Sequence, residues 1–294
     1  MSIAQPDQAA PDRVPIGIIC GGGRIPLAVA EAAHKRGRAV VAFALRGWAD
    51  PEIERYRHHW IALGQLGRLF RLAHAAQCRD LVFIGTLLRP AISQIRLDWT
   101  TVRLLPRIVA AFRGGDDRLL SGVAQIFEDY GFRLVGAHEV APEILMPEGQ
   151  LGRNAPGERD RSDIARGLAL LAAIGRHDIG QAVVIADGHV LAIEAAEGTD
   201  LMLDRVATLR REGRIRIREG IGVLVKAPKP TQDHRFDLPT IGPQTVERVA
   251  RAGLAGLALA ANTTILAEPD RIARLADEHG VFVVGLSATD AVTS

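Results

Sequence analysis

Val14-Pro15-Ile16-Gly17-Ile18-Ile19-Cys20 is a short apolar run that stops at Gly21-Gly22-Gly23. A run of this length without polar alternation is the pattern of a strand buried on both faces, as in a parallel sheet. The glycines supply a tight exit. Residues 25–36 then show helical spacing, with Pro26 suited to a first helical turn and Gly37 to a helix stop. The same grammar repeats outward. Strands are expected at 39–45, 59–63, 81–86 and 132–135, and helices at 65–76, 101–112 and 118–130. Alternating strand and helix implies a parallel sheet covered on both sides.

Residues 146–159 break this rhythm, with Pro147, Gly149, Gly152, Pro156 and Gly157 among few apolar residues. They are expected to be a linker. Beyond it, helices are expected at 160–175, 201–211, 243–252 and 269–278, and strands at 181–186, 189–195, 221–226, 254–260 and 281–285. Asp187-Gly188 between two of the strands is a hairpin-turn signal. The fold class is therefore α/β with two domains. A Rossmann-like parallel sheet spans 14–145 and a mixed α/β domain spans 160–290, after a disordered tail at 1–13.

Composition narrows the function classes. The chain has 294 residues, 48% hydrophobic, enough for two cores. No run reaches the roughly 18 apolar residues of a membrane span. The polar start lacks the pattern of a secretion signal, so a cytoplasmic location is expected. Cys20 and Cys78 form neither a disulfide framework nor a zinc pattern. They read as buried small hydrophobes, with a reactive thiol at Cys20 as the alternative. Net charge is +2 and aromatics are 4%, so the concentrated basic face and stacking platforms of a nucleic-acid binder are missing.

Several places could carry chemistry. Gly21, Gly22 and Gly23 could bring backbone N–H groups to a phosphate. They do not complete the dinucleotide fingerprint, because position 26 is Pro26 and the second strand runs into Arg46 rather than an acid. Gly114-Gly115-Asp116-Asp117 offers Asp116 and Asp117 either as helix-cap acids or as contacts to substrate or metal. His138-Glu139 resembles metal-site patterns only superficially, since Pro142 stands where a second histidine would be needed. A structural role competes there with substrate contact. Glu194, Glu197 and Asp200 cluster at a strand end and could hold a hard cation; a solvated, helix-capping turn is the alternative.

The densest segment is 226–242, Lys226-Ala227-Pro228-Lys229-Pro230-Thr231-Gln232-Asp233-His234-Arg235-Phe236-Asp237-Leu238-Pro239-Thr240-Ile241-Gly242. Its prolines make it stiff and non-helical. Lys226, Lys229 and Arg235 could neutralise phosphate charge, while Asp233 and Asp237 could place a metal or orient water. Together these are the means for attack on phosphorus.

With these segments in view, the sequence resembles the LpxI family of UDP-2,3-diacylglucosamine pyrophosphatases. The likeness runs from about Ile16 to Leu286. It is carried by Ile18-Ile19-Cys20-Gly21-Gly22-Gly23, Gly115-Asp116-Asp117, Gly136-Ala137-His138-Glu139-Val140, Asp178-Ile179-Gly180-Gln181, Glu197-Gly198-Thr199-Asp200, Lys226-Ala227-Pro228-Lys229-Pro230 and Asp237-Leu238-Pro239-Thr240-Ile241-Gly242. The resemblance implies a hydrolase of lipid A biosynthesis that cleaves UDP-2,3-diacylglucosamine to UMP and 2,3-diacylglucosamine 1-phosphate (lipid X). It also implies a divalent cation, Mg²⁺ or another such as Mn²⁺, with water attacking the α-phosphorus and the lipid held between two domains. The aspartate required for turnover in the family falls on Asp237.

The expected roles follow. Asp237, Lys226 and Lys229 are the catalytic candidates. Gly21, Gly22, Gly23, Asp116, Asp117, His138, Glu139, Thr199, Arg235 and Thr240 are the candidate substrate contacts. Asp237, Asp200, Glu194, Glu197 and Asp233 are the candidate metal ligands. The acyl chains need an apolar cleft, for which a domain interface is the default place. Helix 101–112, with Val102, Leu104, Leu105, Ile108, Val109 and Phe112 beside Arg103, Arg107 and Arg113, is compatible with lipid or the anionic cytoplasmic face of the inner membrane; core packing is the other reading. A homodimer is left open. Two rival functions are a non-catalytic sugar-nucleotide or lipid-binding module and a dinucleotide-dependent oxidoreductase.

Overall fold

The computed structural model describes residues 14–87, 95–112, 116–175, 177, 179–229, 235 and 238–287. The chain divides into two compact units, Met1–Ala141 and Pro142–Ser294.

In the first unit, β1 (Ile16–Cys20) is fully buried, as its unbroken apolar run demands. Around it lie α1 (Ile25–Lys35), β2 (Val40–Leu45), β3 (Arg57–Ile61), α2 (Leu66–Ala75), β4 (Asp80–Ile84), α3 (Trp99–Phe112), α4 (Asp116–Asp129), β5 (Arg133–Leu134) and a single-turn α5 (Ala137–Val140). The strand order is β3-β2-β1-β4-β5, all parallel. The order reverses direction beside β1, because α1 leads to one neighbour and α2 crosses back to the other. Right-handed crossovers then put these two helices on opposite faces. Phe70 of α2 and Phe83 of β4 both meet Phe127 of α4 edge-on, at centroid separations of 5.0 and 4.9 Å. At the amino end of β4, Asp80 is buried between Arg133 and Arg38.

The second unit holds β6 (Gly149–Leu151), α6 (Glu158–Gly175), β7 (Ala182–Ala186), β8 (His189–Ile193), α7 (Gly198–Arg211), β9 (Val223–Lys226), β10 (Thr240–Ile241), α8 (Pro243–Arg251), β11 (Gly256–Ala260), β12 (Ile265–Leu266), α9 (Pro269–His279) and β13 (Phe282–Leu286). Six strands form one mixed sheet in the order β6-β13-β11-β9-β7-β8, and β10 pairs with β12 apart from it. One face packs Met202, Leu203 and Val206 of α7, Val246 and Val249 of α8, and Ile272 and Ala276 of α9. The other face receives Ile164 and Leu171 of α6. Gly167 lets α6 come close, since a β-carbon there would lie 2.6 Å from Val225 Cγ2.

The expected Asp-Gly turn is present. Asp187 (φ 50°) and Gly188 (φ 73°) are both left-handed, which is the primed turn that matches strand twist. Their N–H groups donate to the buried carboxylate of Asp163 on α6, at 2.9 and 2.7 Å. The segment expected as a linker, 146–159, is different from that reading. Gly149–Leu151 pairs antiparallel with β13, and Met146 is fully buried in the second core. Glycine and proline hid this edge strand, whose pairing is entirely non-local.

Candidate active site

The second sheet gathers polar side chains at one edge. β9 and β8 run in the same direction, with β7 antiparallel between them, so the end of β8, the start of β7 and the end of β9 coincide. Open α/β sheets bind ligands outside such carboxyl ends. Alternation along β9 sends Val223 and Val225 toward α6, leaving Leu224 and Lys226 on the face of α7.

Lys226 is 7% exposed. Its ammonium donates to Thr199 Oγ1 at 2.8 Å and to the Thr240 carbonyl at 3.1 Å. Thr199 Oγ1 donates in turn to Glu194 Oε1 at 2.7 Å, and Glu194 Oε2 accepts the Gln181 N–H at 2.8 Å. This is one buried hydrogen-bonded line, Gln181–Glu194–Thr199–Lys226–Thr240, drawn from five separate positions of the chain. Within it Glu194 and Lys226 carry opposite formal charge on either side of Thr199, which is how buried ionic groups are tolerated. Gly180 is needed beside it, because a β-carbon there would sit 2.2 Å from the Glu194 carbonyl oxygen. Lys226 terminates β9 and grips the carbonyl of the first residue of β10, so one side chain ties both ends of the connection 227–239.

The other acids of the expected metal set face elsewhere. Glu197 pairs with Arg205 at 2.7 Å and accepts the Ala195 N–H. Its own backbone N–H and the Arg205 guanidinium hold its carboxyl below the usual range. Asp200 pairs with Arg248 at 3.1 Å and accepts from Thr245 Oγ1 at 3.3 Å, joining α7 to α8. Among the described residues, no group of three His, Cys, Asp or Glu side chains could hold a metal ion. Asp233 and Asp237 lie outside the described residues; Lys229 and Arg235 are half-buried.

In the first unit, the glycine turn sits where strand order reverses, between the carboxyl ends of β1 and β4. There the Gly21 N–H donates to the Ile84 carbonyl, and Gly22 exchanges backbone hydrogen bonds with Thr86. Those two N–H groups serve the fold, contrary to the expectation of a phosphate cradle. Gly21 is there for space, since a β-carbon would lie 2.8 Å from the backbone of Gly85, and Gly23 for its left-handed φ of 87°. Glu139 likewise has a structural role, its Oε1 accepting the Gly136 N–H at 2.7 Å to cap α5. His138 Nδ1 is buried without a hydrogen-bond partner. Asp116 and Asp117 open α4, and their side chains lie outside the described residues. Cys20 is buried and desolvation pushes its thiol up to about 12, which removes the reactive-thiol alternative.

Sequence alone missed the partners of this site. Thr199 was singled out only as a substrate contact, and Glu194 only as a metal ligand. Gln181 and Gly180 carried no signal beyond their place in a short tag. Residues 32 positions apart, such as Glu194 and Lys226, reveal their link only once β8 and β9 are aligned.

Two family models match the chain. The LpxI N-terminal domain covers residues 15–144 and the LpxI C-terminal domain covers 147–284. A curated relative from Caulobacter vibrioides (strain ATCC 19089 / CIP 103742 / CB 15), named UDP-2,3-diacylglucosamine pyrophosphatase LpxI, is 42% identical over 271 residues. That alignment spans 92% of this chain and 97% of the relative.

Proposed function

This chain belongs to the LpxI family, and on that premise we propose that it hydrolyses the pyrophosphate of UDP-2,3-diacylglucosamine to UMP and 2,3-diacylglucosamine 1-phosphate. The near full-length likeness to a pyrophosphatase of that name carries the reading. The buried polar line at the carboxyl edge of the second sheet supports a site there.

Asp237 orients the attacking water. It lies three residues before Thr240, whose carbonyl is gripped by Lys226. Lys226 is too enclosed by Thr199 and Thr240 to be read chiefly as a phosphate contact. Its part is to fix the geometry of the connection that bears Asp237, Lys229 and Arg235. Lys229 and Arg235 offset the charge that grows on the leaving phosphate oxygens, an effect for which removal of one contact commonly costs about 10²-fold in turnover.

Glu194, Glu197 and Asp200 do not fit a shared divalent cation, because each carboxylate is engaged with a different partner. A requirement for Mg²⁺ or Mn²⁺ remains part of the proposal through the family resemblance alone.

The test is phosphorus NMR of the UDP-linked lipid with purified protein, with and without EDTA. UMP and the lipid phosphate should appear together. No UMP release in the presence of Mg²⁺ overturns the hydrolase reading in favour of a binding module, and unchanged release in EDTA overturns the metal requirement alone. Label from ¹⁸O water on UMP places the attack at the α-phosphorus.

A further inference from the structure

Helix α3 is apolar on both sides, yet only one side is covered. Thr101 and Leu104 are buried, and Leu105 and Ile108 are half-buried. Trp99, Val102, Arg103, Pro106, Val109 and Ala110 are exposed. At helical spacing these six fall on one stripe about 120° wide. Trp99 is 81% exposed, and Leu97 just before the helix is 47% exposed. A helix that is hydrophobic all round normally belongs in a core or in contact with lipid. Scattered exposed apolar residues are ordinary, but a stripe led by an outward tryptophan is not.

Basic residues predominate in the sequence of the helix and its flanks. Positions 81–115 contain five arginines and a single acid, Asp98. That acid is turned inward, accepting the N–H groups of Arg68 and Thr101 and the Thr101 hydroxyl at 2.8–2.9 Å. Arg96 and Arg103 are exposed. Arg107 pairs with Asp129 on α4. Tryptophan among aliphatic and arginine side chains, with the exposed Asp129 beside them neutralised by Arg107, is the chemistry of an anionic bilayer interface.

We propose that the outward stripe of α3, Trp99-Val102-Arg103-Pro106-Val109, docks this protein on the surface of an anionic lipid bilayer. No helix among the described residues is long and apolar enough to cross a membrane, so the contact lies in the interfacial plane. The choice of a bilayer over other apolar partners rests on charge complementarity and on the proposed activity, since a diacylated substrate resides in a membrane.

The test uses the full chain without substrate, so that it stands apart from the hydrolase reading. Sedimentation with vesicles of phosphatidylethanolamine and phosphatidylglycerol is compared with pure phosphatidylcholine. Binding is expected only to the anionic vesicles and should weaken in high salt. Trp99→Asp should lower partitioning about tenfold, through loss of the interfacial anchor. Arg103→Gln should lower it about fivefold, the usual effect of one basic residue at such a surface. Brominated lipid should quench fluorescence of the parent and not of Trp99→Phe, because Trp48 and Trp60 are only partly exposed. Three results overturn the proposal: equal partitioning of parent and Trp99→Asp; a dimer in solution that Trp99→Asp dissociates, which assigns the stripe to a second copy; or a raised KM of Trp99→Asp for detergent-dispersed substrate, which assigns it to the acyl chains.

Discussion

Thr199→Val tests whether the buried line at the edge of the second sheet is energetically real. Valine keeps the branched shape and removes only the hydroxyl. That hydroxyl receives the Lys226 ammonium at 2.8 Å and serves Glu194 at 2.7 Å. The substitution leaves one buried donor and one buried acceptor short of a partner, both on groups that carry formal charge. A hydrogen bond to a charged group contributes about 1.5–3 kcal/mol, and a stranded buried partner costs at least that much. Two such losses give about 3–6 kcal/mol, less whatever Lys226 and Glu194 regain by moving together. Thr199→Ser keeps the hydroxyl and should cost about 1 kcal/mol, the value of one buried methyl. Urea unfolding read by circular dichroism, with the two units fitted as separate transitions, would give the midpoint shift of the second unit. A double-mutant cycle with Lys226→Met should show a coupling of about 0.5–3 kcal/mol. If Thr199→Val stays within about 0.5 kcal/mol of the parent, typical of an ordinary surface site, the reasoning fails.

Further outcomes follow from other sites. Asp237→Ala should keep the fold and substrate affinity while turnover drops about 10²-fold or more, measured as UMP release beside calorimetric binding; native turnover rejects its role. Burial alone would raise the Asp80 carboxyl, but Arg133 and Arg38 outweigh it and hold the group below its usual value. Its stabilising effect is then present above the unfolded carboxylate pKa of about 4 and is lost as pH falls through the lower folded value. The stability gap between the parent and Asp80→Asn should therefore narrow on acidification below about pH 4, and a gap independent of pH contradicts the pairing. Gly167→Ala would gain helix propensity of about 1 kcal/mol but force a β-carbon against Val225, an overpacking that costs about 1–3 kcal/mol. A lower melting temperature is expected, and a higher one would show that α6 can move away. Cys20 and Cys78, with thiols pushed up to about 12 and about 11, should resist iodoacetamide at pH 8 until the chain is unfolded; rapid native labelling would deny their burial.

Much of the architecture was legible because it rests on local rules. The apolar run before Gly21 is buried as β1, Pro26 and Gly37 bracket α1, and Asp187-Gly188 adopts the left-handed pair of a tight turn. β6 was not legible. Gly149 and the flanking Pro147 look like linker chemistry, and only β13 makes a strand of them. The same limit applied to the acids. Glu194, Glu197 and Asp200 look alike within seven residues, yet Thr199, Arg205 and Arg248 draw their side chains to three separate partners.

The amino-acid order by itself determined the alternation of strands and helices, the two-part division and the family, because periodicity, turn chemistry and short tags are read over a few neighbouring residues. Tertiary structure alone decided which charges meet. Lys226 finds Thr199 and Thr240 because β9 lies between β7 and β11 in the sheet and α7 covers that face. A buried ammonium must be paired with whatever polar groups the fold brings within about 3 Å, and that choice is made by packing between distant segments.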